Sequence, residues 1–262
     1  MAILTFKPKI ITKQLISGLK DRTRDIVVQR FGLDESARKR TLEAIGSQYG
    51  VTRERVRQIT NFALDSIKEN PSFSSSNDAF IELKDIIHKK GKIISEKDIL
   101  SHLAADPATE NNIYFLLVLG DDFIKMKEDD DFHHRWTIDP EIADKVHEAL
   151  RKLHGNISEE DLIPEKDIIA SMKKYGEGIT EETISDDVAR SWLNISKVIN
   201  SNALGEWGYF YSPNIRPRGV KDLAFLVFRK EGSPMHFLEV AKKIASYFVR
   251  EAHPATVHNE LI

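Results

Sequence analysis

Apolar positions recur along this chain at spacings of three and four, interrupted by short polar turns rich in Gly, Pro and Ser. That periodicity predicts short amphipathic helices rather than strands. A first stretch covers residues 10–19. A second, 22–31, sets Ile26, Val27 and Phe31 at near-helical spacing and ends at Gly32. Thr41 opens a third helix, with Leu42 and Ile45 on one face. Gly50 sits in a turn, because glycine takes a positive φ without strain. Thr52 then caps a helix whose stripe is Val56, Ile59, Ala63 and Ile67. Two helices joined through a glycine-containing turn form a helix-turn-helix.

The same pattern changes character three more times. Residues 71–77, Pro-Ser-Phe-Ser-Ser-Ser-Asn, read as a linker. Within 78–138, Phe80, Leu83, Ile86 and Ile87 mark one helix. Ser95-x-x-Asp98 resembles a capping box for a second, and Asp106-Pro107 starts a third. Two apolar runs around Glu128-Asp-Asp-Asp131 then predict a hairpin. Three helices and a hairpin give the order of a winged helix. Residues 140–213 repeat that plan, with helices over 140–154, 164–175 and 185–199 and an aromatic hairpin over 204–211; the repeat is read as architectural, without residue-level identity. Residues 212–219 read as a second linker. Segment 220–262 has helices over 220–230, from Ser233-Pro234, and from Thr256, where the chain stops in mid-helix and is expected to be truncated. The expected fold is mainly α, tandem helix-turn-helix and winged-helix modules with small β-hairpin wings, divided as 1–70, 78–138, 140–213 and 220–262.

Composition narrows the classes. The 262 residues are 41% hydrophobic and 30% charged, enough for packed cores. Cysteine is absent, which excludes disulfides, thiolate zinc sites and cysteine nucleophiles and fits a reducing cytosol. No apolar run approaches the ~18–20 residues of a membrane span, and the start is too short for a signal peptide. A cytoplasmic, nucleoid-associated protein with no membrane partner is expected. The net charge of −3 hides an asymmetry: residues 1–70 carry 14 Lys+Arg against 8 Asp+Glu, residues 71–213 carry 16 against 28, and residues 214–262 carry 8 against 5. Basic ends around an acidic middle hint at nucleic-acid contact by the ends.

The helix from Thr52 concentrates the chemistry. Arg53, Glu54, Arg57 and Gln58 share one face. Arginine bonds bidentately to guanine, glutamate accepts from the cytosine amino group, and glutamine reads adenine. Arg55 lies to the side, suited to phosphate. A solvated helix with internal Arg–Glu pairs explains the same residues. The flanking sequence favours the first reading. Arg24-Asp-Ile-Val-Val-Gln-Arg-Phe-Gly-Leu-Asp34, Thr41-Leu-Glu-Ala-Ile-Gly46 and Gly50-Val-Thr-Arg-Glu-Arg-Val-Arg-Gln-Ile59 closely resemble region 4 of bacterial primary-type sigma factors, over residues 10–69. The resemblance implies recognition of a −35 element in double-stranded promoter DNA, with Arg53, Glu54, Arg57 and Gln58 at positions that contact bases or phosphates; with Arg55 and Thr52 they make up the expected DNA-binding residues. It also implies that the bacterial RNA polymerase core is a partner, its β flap docking on the apolar stretch 10–33. Lys20-Asp21 departs from the family's proline-containing turn.

A second resemblance lies at 220–262. Gly232-Ser-Pro-Met-His-Phe-Leu-Glu-Val-Ala-Lys-Lys-Ile244 and His253-Pro-Ala-Thr-Val-His-Asn-Glu-Leu-Ile262 look like the HARE-type helix-turn-helix domain. That implies a module associated with DNA or polymerase. The remaining constellations point elsewhere than to chemistry. His133, His134, His236, His253 and His258 lack a ligand frame such as H-E-x-x-H, so no metal is expected. Asp129-Asp-Asp131 is read as a hairpin tip. Trp207 with Tyr209, Phe210 and Tyr211 offers either the buried face of a hairpin or a stacking surface for unpaired bases. The helix over 109–119 has no Lys or Arg, so the 78–138 module is not expected to read DNA. No phosphate loop or nucleophile elbow occurs, and neither an enzyme nor a cofactor is expected. Two alternatives stand beside a promoter-binding initiation factor: a delta-like polymerase subunit acting by protein contacts, and the DNA-binding module of a restriction-modification system.

Overall fold

The structure is a computed structural model describing residues 4–262. These residues form fourteen helices and six short strands. They group into two compact units. One takes the chain up to Lys127 with His134–Pro140, the other Glu128–His133 with Glu141–Ile262.

The first unit begins with α1 (Pro8–Ile16), α2 (Asp21–Phe31), α3 (Leu42–Tyr49) and α4 (Arg53–Lys68). α1 starts earlier than its apolar pattern suggests because Pro8 occupies the first helical turn, where no amide hydrogen is needed. Gly32 and Gly50 end α2 and α3 in the left-handed conformation, with φ of 66° and 65°. Residues 71–77 are not a linker. Asn70 caps the short helix α5 (Pro71–Ser75) by accepting from the Ser72 amide, and Phe73 packs on Phe80 at 5.0 Å between ring centres. The serines there hydrogen-bond locally instead of loosening the chain.

A winged helix follows: α6 (Asn77–Lys89), β1 (Ile93–Ser95), α7 (Glu96–Leu103), α8 (Pro107–Leu119), β2 (Ile124–Met126) and β3 (Arg135–Thr137). Its sheet has three antiparallel strands in the order β1-β3-β2, not the two of the expected hairpin. β1 escapes notice in the sequence because its last residue, Ser95, also caps α7 by accepting from the Asp98 amide. The second unit repeats this plan with α9 (Pro140–His154), β4 (Ile163–Pro164), α10 (Glu165–Gly176), α11 (Asp186–Leu193), β5 (Ile199–Ser201) and β6 (Glu206–Tyr209), sheet order β4-β6-β5. Trp136 on β3 lies opposite Ile94, and Trp207 on β6 lies opposite Ile163. The register exposes a residue-level repeat that the expectation of a purely architectural one passed over. Ile94-Ser-Glu-Lys-Asp-Ile99 recurs as Ile163-Pro-Glu-Lys-Asp-Ile168 at the same strand-to-helix junction.

The chain ends in α12 (Val220–Glu231), α13 (Phe237–Phe248) and α14 (Pro254–Leu261), packed around Leu223, Val227, Val240, Ile244 and Val257. α13 starts later than Ser233-Pro234 because His236 is its cap, accepting from the Leu238 amide. The expected linker at 212–219 is ordered too: Ile215 is buried with Leu162 and Leu226.

In the first unit one core serves both plans. Leu15, Ile16, Val27 and Phe31 from α1 and α2 are buried with Leu83, Ile113, Phe115 and Leu116 from α6 and α8. Phe31 meets Phe115 edge-on at 5.0 Å. No residue of α8 beyond Pro107 is exposed, as befits a helix that is apolar on every side. Buried Asn111 donates to the carbonyls of Gly32 and Ala37 at 3.0 and 2.9 Å. The acidic stretch 128–131 lies between β2 and β3 as expected, and its residues 128–130 are exposed, but it is also tied down by partners. Arg151 pairs with Asp131 at 2.9 Å, Lys197 pairs with Glu128 at 2.9 Å, and the Lys197 amide donates to the Asp131 carbonyl at 2.7 Å.

Asn111→Ala strands two carbonyls without their donor. It should destabilise the first unit by about 1–3 kcal/mol, read as a lower urea midpoint with faster amide exchange in α2 and α8. His154 is half-buried: its ring lies beside Phe132 and 2.9 Å from the Ser196 hydroxyl. Burial lowers its pKa from 6.5. The folded chain therefore resists a proton that the unfolded chain accepts. Its stability is undiminished above the unfolded value and falls as pH drops below that value toward the folded one. The thermal midpoint should fall more between pH 7 and 5.5 in the parent protein than in His154→Gln.

Candidate nucleic-acid interface

The angle between α3 and α4 is set by two glycines and a small core. A Cβ on Gly46 would lie 2.6 Å from the Val51 carbonyl oxygen, so only glycine lets the turn fold back on α3. Ile26, Ile45 and Val56 are fully buried between α2, α3 and α4, with Leu42, Tyr49, Val51 and Ile59 around them. Thr41 and Thr52 cap α3 and α4 by accepting from the amides of Ala44 and Arg55, at 3.1 and 3.2 Å. Capping of this kind fixes where a helix begins. It therefore fixes which α4 residues face outward.

All six residues singled out from sequence are exposed on the first turns of α4: Thr52, Arg53, Glu54, Arg55, Arg57 and Gln58. They are not idle. Arg57 grips Glu54 with two nitrogens, at 2.9 and 2.6 Å, and Gln58 donates to the same carboxylate at 3.5 Å. The Arg57 hydrogen bonds hold the Glu54 carboxyl below the usual carboxylate range, so it stays ionised near neutrality. Arg53 reaches back to Glu43 on α3 at 3.1 Å. Arg55 donates to Gln58 at 3.3 Å. Such exposed pairs are readily exchanged for other partners.

Other cations of the module were not picked out from sequence. Arg40 is held by the side-chain oxygens of Gln29, at 2.8 Å, and of Gln48, and has no carboxylate partner among the described residues. Arg22 lies over the Tyr49 ring at 5.2 Å. The run Arg38-Lys39-Arg40 just before the capping Thr41 was the available signal. Its middle member lies along the surface: the Lys39 amine sits 4.2 Å from the Tyr114 ring centre, where partial desolvation lowers its pKa.

Beside α4 is an open cavity of about 830 Å³, whose lining includes Leu19, Lys20, Arg22, Arg55, Ile59 and Phe62. Phe62 is 69% exposed. The histidines have structural positions: His236 and His253 cap α13 and α14, and His258 meets Phe237 edge-on at 4.9 Å.

Two helices crossing at a glycine turn, the second exposing guanidinium, carboxylate and carboxamide groups on one face, define a helix-turn-helix module of the kind that reads nucleic acid. Residues 15–69, which contain it, match the family described as Sigma-70, region 4. The chain is 43% identical over 67 residues to the RNA polymerase principal sigma factor HrdD of Streptomyces griseus, covering 26% of this chain and 20% of that protein. It is 43% identical over 70 residues to the RNA polymerase sigma factor SigA of Listeria monocytogenes, covering 27% and 18%. The match spans about a fifth of the length of these curated relatives. No solved structure matches the chain significantly. Among the described residues no helix is long and apolar enough to cross a membrane.

Proposed function

We propose that this protein is a cytoplasmic transcription initiation factor that lays α4 in the major groove of a promoter −35-like element and docks on bacterial RNA polymerase. The observation that carries this reading is the exposed face of α4 on a module that matches sigma-70 region 4. Arg53 and Arg57 are the guanine readers, Glu54 accepts from a cytosine amino group, and Gln58 takes an adenine. Arg55 contacts phosphate from the flank, and Thr52 holds the positive end of the helix toward the backbone. The activity is binding, not catalysis. α12–α14 serve as a HARE-type helix-turn-helix module, and the division at 1–70, 78–138, 140–213 and 220–262 describes the modules.

The apolar side chains of the 10–33 stretch are largely spent internally, since Leu15, Ile16, Val27 and Phe31 are buried with α8. The open groove around Leu19, Ile59 and Phe62 is therefore the place for an apolar helix of the polymerase β flap. Lys20 and Arg22 would meet acidic residues on its flanks.

On a −35 duplex at fixed salt, Arg53→Ala and Arg57→Ala should each weaken binding roughly tenfold to a hundredfold. Arg55→Ala should weaken that duplex and a scrambled one alike. Unchanged affinity for the −35 duplex in the Arg53→Ala, Arg57→Ala double variant would sink the reading. Retention by core polymerase with no preference for promoter DNA would favour the delta-like alternative. Separately, Phe62→Asp should abolish co-purification with core polymerase and leave duplex affinity within about twofold; co-purification that survives removes the groove as the docking place.

A further inference from the structure

A second surface in the protein combines rings with unpaired cations, and it lies in the other unit. Strand β6 runs directly into Tyr209-Phe210-Tyr211. The buried side of this hairpin is already supplied by Trp207, and Ile215 with Leu162 and Leu226 fills the core beside it. Tyr209 and Phe210 are half-buried, and Tyr211 is 61% exposed. The three rings form a cluster: Tyr209 lies 5.8 Å from Tyr211, and Phe210 meets Tyr211 edge-on at 5.1 Å. A hairpin that needed these rings only for its core would not leave the last of them in water.

The chain next passes through Arg216 and Arg218 before entering α12. The Arg216 guanidinium lies 5.3 Å over the Phe210 ring. Arg250 donates to the Arg218 carbonyl at 3.3 Å, which brings a third guanidinium to the same segment. All three arginines are exposed, and none of them pairs with a carboxylate among the described residues. Lys197 adds no charge to this surface, because Glu128 neutralises it.

An exposed ring, two half-buried rings beside it and unpaired guanidiniums match one ligand chemistry closely. Unpaired nucleotides offer flat bases to stack and phosphates to neutralise, with little dependence on sequence. A duplex hides its base faces and would engage only the arginines. We propose that Tyr209, Phe210 and Tyr211, with Arg216 and Arg218, form a platform for single-stranded DNA. This is independent of the reading of α4.

The test uses the full chain carrying Arg53→Ala and Arg57→Ala, so that α4 contributes little. Anisotropy of a labelled short oligothymidylate is compared with that of a duplex of equal length at near-physiological salt. The single strand should bind more tightly than the duplex. Tyr211→Ala should weaken it about tenfold, Tyr211→Phe should stay within about twofold, and Arg216→Ala should weaken it and flatten its salt dependence. Thermal midpoints equal to the parent's, or equal losses in Arg216→Ala, separate lost stacking from lost folding. Absence of single-strand binding overturns the proposal. So does a duplex that binds as well, a Tyr211→Ala, Arg216→Ala double variant that binds unchanged, or displacement of the oligonucleotide by polyglutamate as readily as by unlabelled strand.

Discussion

The amide of Asn111, buried on α8, places both of its hydrogens on carbonyls of the loop that joins α2 to α3. That loop is an awkward piece of backbone. Gly32 has a φ of 66°, and Ala37 holds a φ of 51° that a side chain rarely adopts. A Cβ on Gly32 would also come within 2.7 Å of the Asn111 nitrogen. Glycine is thus demanded twice, for its conformation and for the approach of the amide. By pinning the loop, Asn111 fixes how α3 leaves α2, and α3 in turn sets the pose of α4. The geometry of the outward face of α4 is anchored from a helix about fifty residues further along the chain.

This dependence explains what could and could not be seen in the sequence. Thr41, Thr52, Ser95, Asp106 and Ser185 all act as caps where their spacing suggests, because a cap is a contact over three residues. The exposed residues of α4 follow from the stripe of Val56, Ala63 and Ile67 on its opposite side. Distant pairings were invisible. β1 and β4 are two or three residues long and exist only because a tryptophan strand lies beside them. The serines after Pro71 looked like a linker because composition does not show that Phe73 has a partner in Phe80. Glu43 could not be assigned to Arg53 without the turn that folds α3 onto α4.

The electrostatics of the α4 face divides its arginines into two kinds. Arg53 and Arg57 are matched by Glu43 and Glu54, so they exert little pull on distant phosphates. Arg55 and Arg40 are held by glutamine oxygens and keep their charge uncompensated. In the proposed complex, general attraction to DNA would come from these flanking cations, and the central guanidiniums would exchange their carboxylates for base edges. On that reading a wrong base would leave the internal pair in place. Discrimination would then be prepared in the unbound state, at little cost because the pairs are exposed.

The burial of α8 carries this division to the level of the whole first unit. In a winged helix the third helix is the ordinary candidate for a groove, and here it has no exposed residue beyond Pro107. Its Ile113, Phe115 and Leu116 are the floor on which α1 and α2 rest. In this unit α8 serves as packing support for the helices that carry α4. If α4 alone reads DNA, as proposed, the unit has few base contacts to draw on. Its selectivity then depends on how rigidly that helix is held, which returns the function of α4 to the packing beneath it.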